Sequence, residues 1–269
     1  MARAMDDERR PAAFFDLDKT IIAMSSSSAL SRPLLDGGLL TRTAALRTAY
    51  ASLLFHVGGA DEKQTNRLRD ALSELISGWD VAKLKEILDE TVQQHIDPVV
   101  YEEALELIRA HHELGRDVII VSASAREVVE PIAALLGADG VIATTMTVED
   151  GHFTGGIDFY AFGENKAVAM REFAEEHGYD LRRSYAYSDS ITDMPMLAAV
   201  GNGYAVNPDR ALRRAAADNG WGTLHFRKPV ALRASATQTS VVVSLVLVAV
   251  VVVGSVVIAR AMRRRRGKM

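Results

Sequence analysis

The sequence predicts an α/β fold. A mostly parallel sheet is covered by helices on both faces, with a helical insertion after the first strand and one transmembrane helix at the C-terminus. Three observations predict it. Short apolar runs alternate with amphipathic helical patterns between residues 12 and 226, as strands joined by crossover helices do. A stretch between the first and second strands, residues 25–98, has helical periodicity alone. The 19 residues from Val241 to Ala259 are apolar except for Ser244 and Ser255, with Gly254 among them, just long enough to cross a bilayer core.

The first strand is Ala12-Ala13-Phe14-Phe15, an apolar run leading into Asp16-Leu17-Asp18-Lys19-Thr20. A short apolar run bounded by polar residues fits a buried strand. Asp16 and Asp18 then stand at its carboxyl end, where open α/β sheets place their ligands. Ser25 to Ser28 starts a helix or forms a polar loop. In the insertion, Leu46, Tyr50, Leu53 and Leu54 share one helical face, as do Leu68, Leu72, Leu75 and Ile76, and then Leu84, Ile87 and Leu88. Asp61 and Asp80 are expected helix N-caps.

Helix returns at Tyr101–Leu114 and stops at Gly115. Arg116 to Ser122 reads as a second buried strand ending in a hydroxyl. Arg126–Leu136 reads as a helix stopped by Gly137. Val141–Val148 and Phe153–Phe159 flank Glu149-Asp150-Gly151-His152, which predicts a hairpin. Glu164–His177 is an amphipathic helix ended by Gly178. Ser184–Ser188 is a third strand that runs into Asp189, Tyr204–Val206 a fourth, and Thr223–Phe226 a last one. Between the final two, Pro208–Asp218 fits a helix with proline in its first turn. The domains expected are a core of residues 1–24 and 99–226, a helical insertion of 25–98, a linker of 227–240, a transmembrane helix of 241–259 and a basic tail of 260–269.

Composition narrows the function classes. The chain has no cysteine, so a thiol nucleophile and a Cys-ligated zinc are excluded. Six of its 31 Lys and Arg residues lie in 260–269, which holds no acid; the rest carries 25 basic against 35 acidic residues. Nucleic-acid binding by the main body is therefore not expected. The basic tail argues for a cytoplasmic C-terminus and suits anionic lipid head groups. The apolar run after the polar and charged residues 1–11 is too short for the h-region of a signal peptide, so none is expected. A cytoplasmic tail on a single-pass chain would put the main domain outside, yet no export signal is found; a cytoplasmic main domain requires either that the basic tail cross the membrane or that the helix be re-entrant. The expectation is a membrane protein, single-pass at the C-terminus, with its main domain in the cytoplasm and its C-terminal helix and tail in contact with lipid.

Three predicted strands end in functional groups: Asp16 and Asp18, Ser122, and Asp189. A parallel sheet gathers these ends. Lys166 opens a helix between the second and third, and Asp193 follows Asp189 by four residues. A carboxylate can act as nucleophile and form an acyl-phosphate. Oxygen ligands with few charges suit Mg²⁺, and a lysine offsets charge on phosphoryl oxygens.

These residues resemble the haloacid dehalogenase superfamily of hydrolases. The family's Asp-x-Asp-x-Thr motif is seen as Asp16-Leu17-Asp18-Lys19-Thr20, its strand-ending Ser/Thr as Ser122, its lysine as Lys166, and its acidic pair after a strand as Asp189 and Asp193. The order and strand context agree over residues 12–226. The insertion resembles the helical cap of the phosphoserine phosphatase-like (IB) subgroup. So do Gly151-His152-Phe153-Thr154-Gly155-Gly156 and Tyr187-Ser188-Asp189-Ser190.

The resemblance implies a Rossmann-like core and a Mg²⁺-dependent phosphomonoesterase. Asp16 would be the nucleophile. Asp18 would protonate the leaving oxygen and then activate water. Thr20 would support the loop, and Ser122 and Lys166 would hold the phosphoryl oxygens. Asp16, the backbone carbonyl of Asp18, and Asp189 would bind Mg²⁺. Asp193 would orient Lys166 or a water on the metal. The substrate would be a small phosphomonoester, or a lipid phosphate if the chain is anchored in a membrane. A phosphate-sensing membrane module without turnover is the alternative from another class; the intact Asp16, Asp18, Lys166 and Asp189 argue against it.

A rival register, in which Asp18-Lys19-Thr20 resembles the Asp-Lys-Thr-Gly-Thr of cation-pumping ATPases, is disfavoured because Ile21-Ile22 replaces Gly-Thr. Two departures bear on substrate. Phosphoserine phosphatases carry a Glu where this chain has Ser25, and Ser-Gly-Gly where it has Ser122-Ala123-Ser124. Ser25, Ala123, Ser124 and Arg126 are therefore the candidate substrate neighbours, although a first-turn arginine is more often simply solvated. His111 and His112 are adjacent on a helix, point to different faces and make a poor metal pair. Trp79 and Trp221 read as packing residues.

Overall fold

Strand β1 (Ala12–Asp16) is buried along its whole length, because its alternate side chains enter two different cores. Ala13 and Phe15 join one apolar cluster, and Ala12 and Phe14 join the other, on the opposite face of the sheet. The computed structural model describes residues 9–41, 69–70, 73–227 and 229, which fall within a unit spanning residues 1–230.

After β1 come two short helices, α1 (Ser26–Ala29) and α2 (Ser31–Asp36). Helix α3 (Val81–Ile96) buries Leu84, Leu88, Val92 and Ile96, spaced by four, and is capped by Asp80, whose carboxylate accepts from the Lys83 N–H at 3.0 Å. Then follow α4 (Glu102–Glu113), β2 (Asp117–Ala125), α5 (Arg126–Leu136), β3 (Gly140–Glu149), β4 (His152–Phe159), α6 (Glu164–His177), β5 (Tyr185–Ser188), α7 (Met194–Ala198), β6 (Asn202–Val206), α8 (Arg210–Asn219) and β7 (Gly222–Leu224). Gly137 and Gly178 end α5 and α6 in the left-handed conformation, at φ 71° and 70°. Asp150 and Gly151 turn the β3–β4 hairpin with φ of 48° and 77°, the handedness a tight hairpin requires.

The sheet order is β4-β3-β2-β1-β5-β6-β7. Every pairing is parallel except the β3–β4 hairpin. The order reverses at β1, which has β2 on one side and β5 on the other. Such a switch point opens a crevice at the carboxyl ends of the strands. The register is specific: Phe15 is level with both Ile120 and Tyr187, and Asp16 with Val121.

The aromatic ring of Phe15 stacks on Tyr187 at 4.3 Å between centroids. His111, on α4, packs edge-on to Phe15 and bonds the Tyr187 hydroxyl through Nε2 at 2.8 Å. Burial, and then the Arg116 and His112 charges, push its pKa down to about 4. It is a neutral core residue at neutral pH, and His112 instead meets Asp139.

The membrane expectation is corrected. Among the described residues no helix is long and apolar enough to cross a membrane. The longest helix among the described residues, α3, has 16 residues and exposes Lys83, Lys85, Glu86 and Asp89. At about 24 Å it is short of a bilayer core and carries charge along one face. The fold described is thus α/β without a transmembrane helix, and the single-pass placement and lipid contact gain no support. The stretches 241–259 and 260–269 lie outside the described residues, as do Leu46, Tyr50, Leu53, Leu54, Asp61, Leu68 and Leu72.

Candidate active site

Four chain segments meet at the carboxyl ends of β1, β2 and β5. Asp16 is the last residue of β1, Ser122 lies one step beyond the residue paired with Asp16, and Ser188 ends β5 one step beyond the partner of Phe15. Lys166 enters from the first turn of α6, whose N-cap is Gly163 with φ 57°. Asp16, Thr20, Ser122, Lys166, Ser188 and Asp193 are all buried. The same strand hydrophobicity that forms the cores therefore forces these polar groups to find partners inside the protein.

They find them in one network. Lys166 Nζ donates to Asp16 Oδ1 at 2.7 Å and to Asp193 Oδ2 at 2.8 Å. The Ser188 hydroxyl also donates to Asp193 Oδ2, at 2.8 Å. Thr20 Oγ1 donates to Asp16 Oδ2 at 3.2 Å. The loop carrying Thr20 folds back on itself, with the Ile21 and Ile22 N–H groups donating to the Leu17 carbonyl. Lys19 takes φ 61° in that turn, an uncommon backbone for a residue with a side chain.

At the end of β2 the register with β3 shifts between Ser122 and Ala125. The Ser124 N–H donates to Ser122 Oγ at 3.2 Å. Thr144 Oγ1 donates to the Ala123 carbonyl at 2.7 Å and accepts from the Ala161 N–H at 3.2 Å. The strand end beside Asp16 is thus braced from β3.

Negative charge is in excess here. Burial pushes Asp16 well above the usual carboxylate range; Lys166 opposes this, while Asp193 and Asp189 add to it. Burial raises Asp18 as well, and its hydrogen bonds from Ser26 hold it back. Burial and then the Asp193 charge push Asp189 up to about 7, against the pull of Lys19 and Lys166. Burial alone would lower Lys166, but its pairs with Asp16 and Asp193 outweigh that and keep it protonated.

This imbalance fits a divalent cation. Among the described residues no three His, Cys, Asp or Glu side chains form a metal cluster by themselves. Asp16 and Asp189 are near enough for the Asp189 charge to raise Asp16, and carboxylates of this kind are what Mg²⁺ takes together with water and a substrate phosphate.

The other candidates have other occupations. Ser25 caps α1, its Oγ accepting from the Ser28 N–H at 3.3 Å and donating to the Ser28 hydroxyl at 2.7 Å. Arg126 pairs with Glu130 at 3.5 Å on the partly exposed face of α5. Ser124 faces Ser26, with 2.9 Å between the hydroxyls. Ser26 and Ser188 are the residues that the sequence reading did not single out. Ser188 had a local signal, since it ends the strand before Asp189. Ser26 had none: it is one serine in a run of four.

Comparison with known proteins agrees with this geometry. Residues 13–198 match the haloacid dehalogenase-like hydrolase profile. The chain is 57% identical over 225 residues to a Streptomyces azureus protein named for inhibition of morphological differentiation, covering 83% of this chain and 81% of that one. It is 53% identical to a probable phosphatase of Mycobacterium tuberculosis over 83% of this chain and 78% of the relative. A phosphoserine phosphatase of the same organism is 34% identical over 84% and 76% of the two chains. A Bordetella pertussis crystal structure of unknown function superposes with a TM-score of 0.70 at 28% identity, over 80% of this chain and 98% of that one.

Proposed function

This chain belongs to the haloacid dehalogenase-like hydrolases, and from that premise we propose that it is a Mg²⁺-dependent phosphatase that hydrolyses a small phosphomonoester through a phosphorylated Asp16. The observation that carries the reading is the buried Lys166 ammonium held between Asp16 and Asp193 where three strand ends converge.

In the first half-reaction a carboxylate oxygen of Asp16 attacks phosphorus, the bond to the ester oxygen breaks, and Asp18 gives its proton to that oxygen. In the second, a water oxygen attacks the same phosphorus, Asp18 takes the water proton, and the bond to Asp16 breaks to release inorganic phosphate. Thr20 orients Asp16 by holding Oδ2. Ser122 and Lys166 hold phosphoryl oxygens, and Asp193 with Ser188 holds Lys166 in place. Asp16, the Asp18 carbonyl and Asp189 would hold Mg²⁺, which supplies charge against the phosphoryl oxygens. The inserted residues 25–98 would act as a cap over the core of 1–24 and 99–226 and exclude water during transfer. Phosphoserine is one substrate to test rather than the assigned one, because Ser25 caps a helix where phosphoserine phosphatases place a Glu.

The test is phosphate release by the full chain from a panel that includes phosphoserine, β-glycerophosphate and p-nitrophenyl phosphate, with and without Mg²⁺. Release that needs Mg²⁺ supports the reading. A folded protein that releases no phosphate from any member, yet binds phosphate, would replace it with a sensing role.

Metal binding also has a sign in pH. Asp189 titrates near 7 in the metal-free fold, above its unfolded value. The stability that its proton contributes is therefore present at acid pH and lost as pH rises through about 7. Mg²⁺ replaces that proton. The rise in melting temperature on adding Mg²⁺ is expected to be larger at pH 8 than at pH 5.5, by several degrees when the metal is at roughly a hundred times its Kd. An equal rise at both pH values would remove Asp189 from the metal site.

A further inference from the structure

Ser26 is fully buried, and the mechanism above leaves it without a task. Its backbone N–H donates to Asp18 Oδ1 at 2.8 Å, and its hydroxyl lies 3.4 Å from Oδ2 of the same carboxylate. That hydroxyl also meets the Ser124 hydroxyl at 2.9 Å. One residue at the root of the helical insertion thus touches both oxygens of Asp18 and is tied to the end of β2.

The chemistry asks for such a holder. Asp16 is fixed by Lys166 and Thr20. Asp18 must alternate between a carboxylic acid and a carboxylate in each turnover, so its partners must tolerate both. A backbone N–H only donates, which keeps the proton off Oδ1 and leaves it to Oδ2. A serine hydroxyl both donates and accepts. It can point its hydrogen at an ionised Oδ2 and turn that hydrogen towards Ser124 when Oδ2 is protonated. Ser124 can donate to Ser26 in the first arrangement and accept from it in the second.

We propose that Ser26 is a positioning residue for the proton transfers of Asp18, and that Ser124 acts by holding Ser26. This rests on the reading of Asp18 as the general acid and base. It gives the Ser122-Ala123-Ser124 departure from Ser-Gly-Gly a physical purpose: the third residue supplies the hydroxyl that Ser26 needs.

The readout is leaving-group dependence, which a merely structural role would not move. An alkyl ester needs its leaving oxygen protonated during cleavage, whereas p-nitrophenolate leaves with little help. kcat/KM reports the step in which the ester bond breaks. It is measured on the full chain with β-glycerophosphate and p-nitrophenyl phosphate for the wild type, Ser26→Ala, Ser124→Ala, the double variant and Asp18→Asn. Ser26→Ala is expected to lower the alkyl value roughly tenfold and the aryl value less than about threefold, as for one hydrogen bond to a charged group. Ser124→Ala should do the same to a smaller extent, and the double variant should be no worse than Ser26→Ala.

Equal losses on both esters, or none, alongside a selective loss in Asp18→Asn, would overturn the role of Ser26 and leave Asp18 standing. An unselective Asp18→Asn would overturn the reading of Asp18, and the proposal with it. Should Ser26→Ala not fold, the half-buried Ser124→Ala decides: a selective loss supports the proposal and an unselective one overturns it.

Discussion

Asp16→Asn is expected to abolish phosphate release, with a loss of about 10⁴-fold or more in kcat, because the amide offers no nucleophilic oxygen anion. The variant should still fold. Asn keeps the shape of Asp16, and its side-chain oxygen can still accept from Lys166 or Thr20, which hold the two carboxylate oxygens in the wild type. It should also be at least as stable as the wild type in metal-free buffer at pH 8. There the buried Asp16, raised by its burial and by Asp193 and Asp189, is unfavourable when ionised, and active-site groups of this kind commonly lower stability. Phosphate release and mass spectrometry of acid-quenched enzyme check the prediction together. The wild type should show a phosphorylated Asp16 under turnover, and the variant should show none. A variant that retained a tenth of the wild-type rate would end the covalent mechanism.

Lys166→Met is expected to be inactive and less stable as well, by about 3–5 kcal/mol at pH 8. The methionine fills most of the volume but leaves Asp16 and Asp193 buried without the cation that bridges them at 2.7 and 2.8 Å. Loss of that cation removes the charge that holds Asp16 down, so protonation of Asp16 relieves part of the defect. Chemical denaturation should therefore show a smaller deficit at pH 5 than at pH 8. The opposite pH trend, or an unchanged midpoint at pH 8, would mean that the triad does not govern the local electrostatics. The contrast between the two variants is itself informative. Removing one of several carboxylates relieves a charge excess, while removing the bridging cation enlarges it.

The sequence made much of this fold legible because its signals are local. The apolar run into Asp16, the glycines after α5 and α6, and the Asp150-Gly151 turn each report conformations set by neighbouring residues. Strand β2 runs to Ala125 where its hydrophobicity ends near Ser122, since β3 pairing past a register shift carries it further. The membrane expectation came from residues 241–259 alone, and the described fold supplies no spanning helix. The site is legible to the same degree. Asp16, Ser122, Lys166 and Asp189 are marked by standing at element ends, which a parallel sheet gathers on one side.

By itself, the sequence determined the element types, the central strand and the residue kinds available at the strand ends, since periodicity and apolar runs depend on neighbours a few positions apart. Only the tertiary structure decided which of those groups touch. The two carboxylates that share Lys166 lie 150 and 27 residues from it. The hydroxyl that meets Ser26 lies 98 residues away. Such pairings follow from sheet order and register, where an offset of one residue turns a side chain to the other face, and no local pattern carries that information.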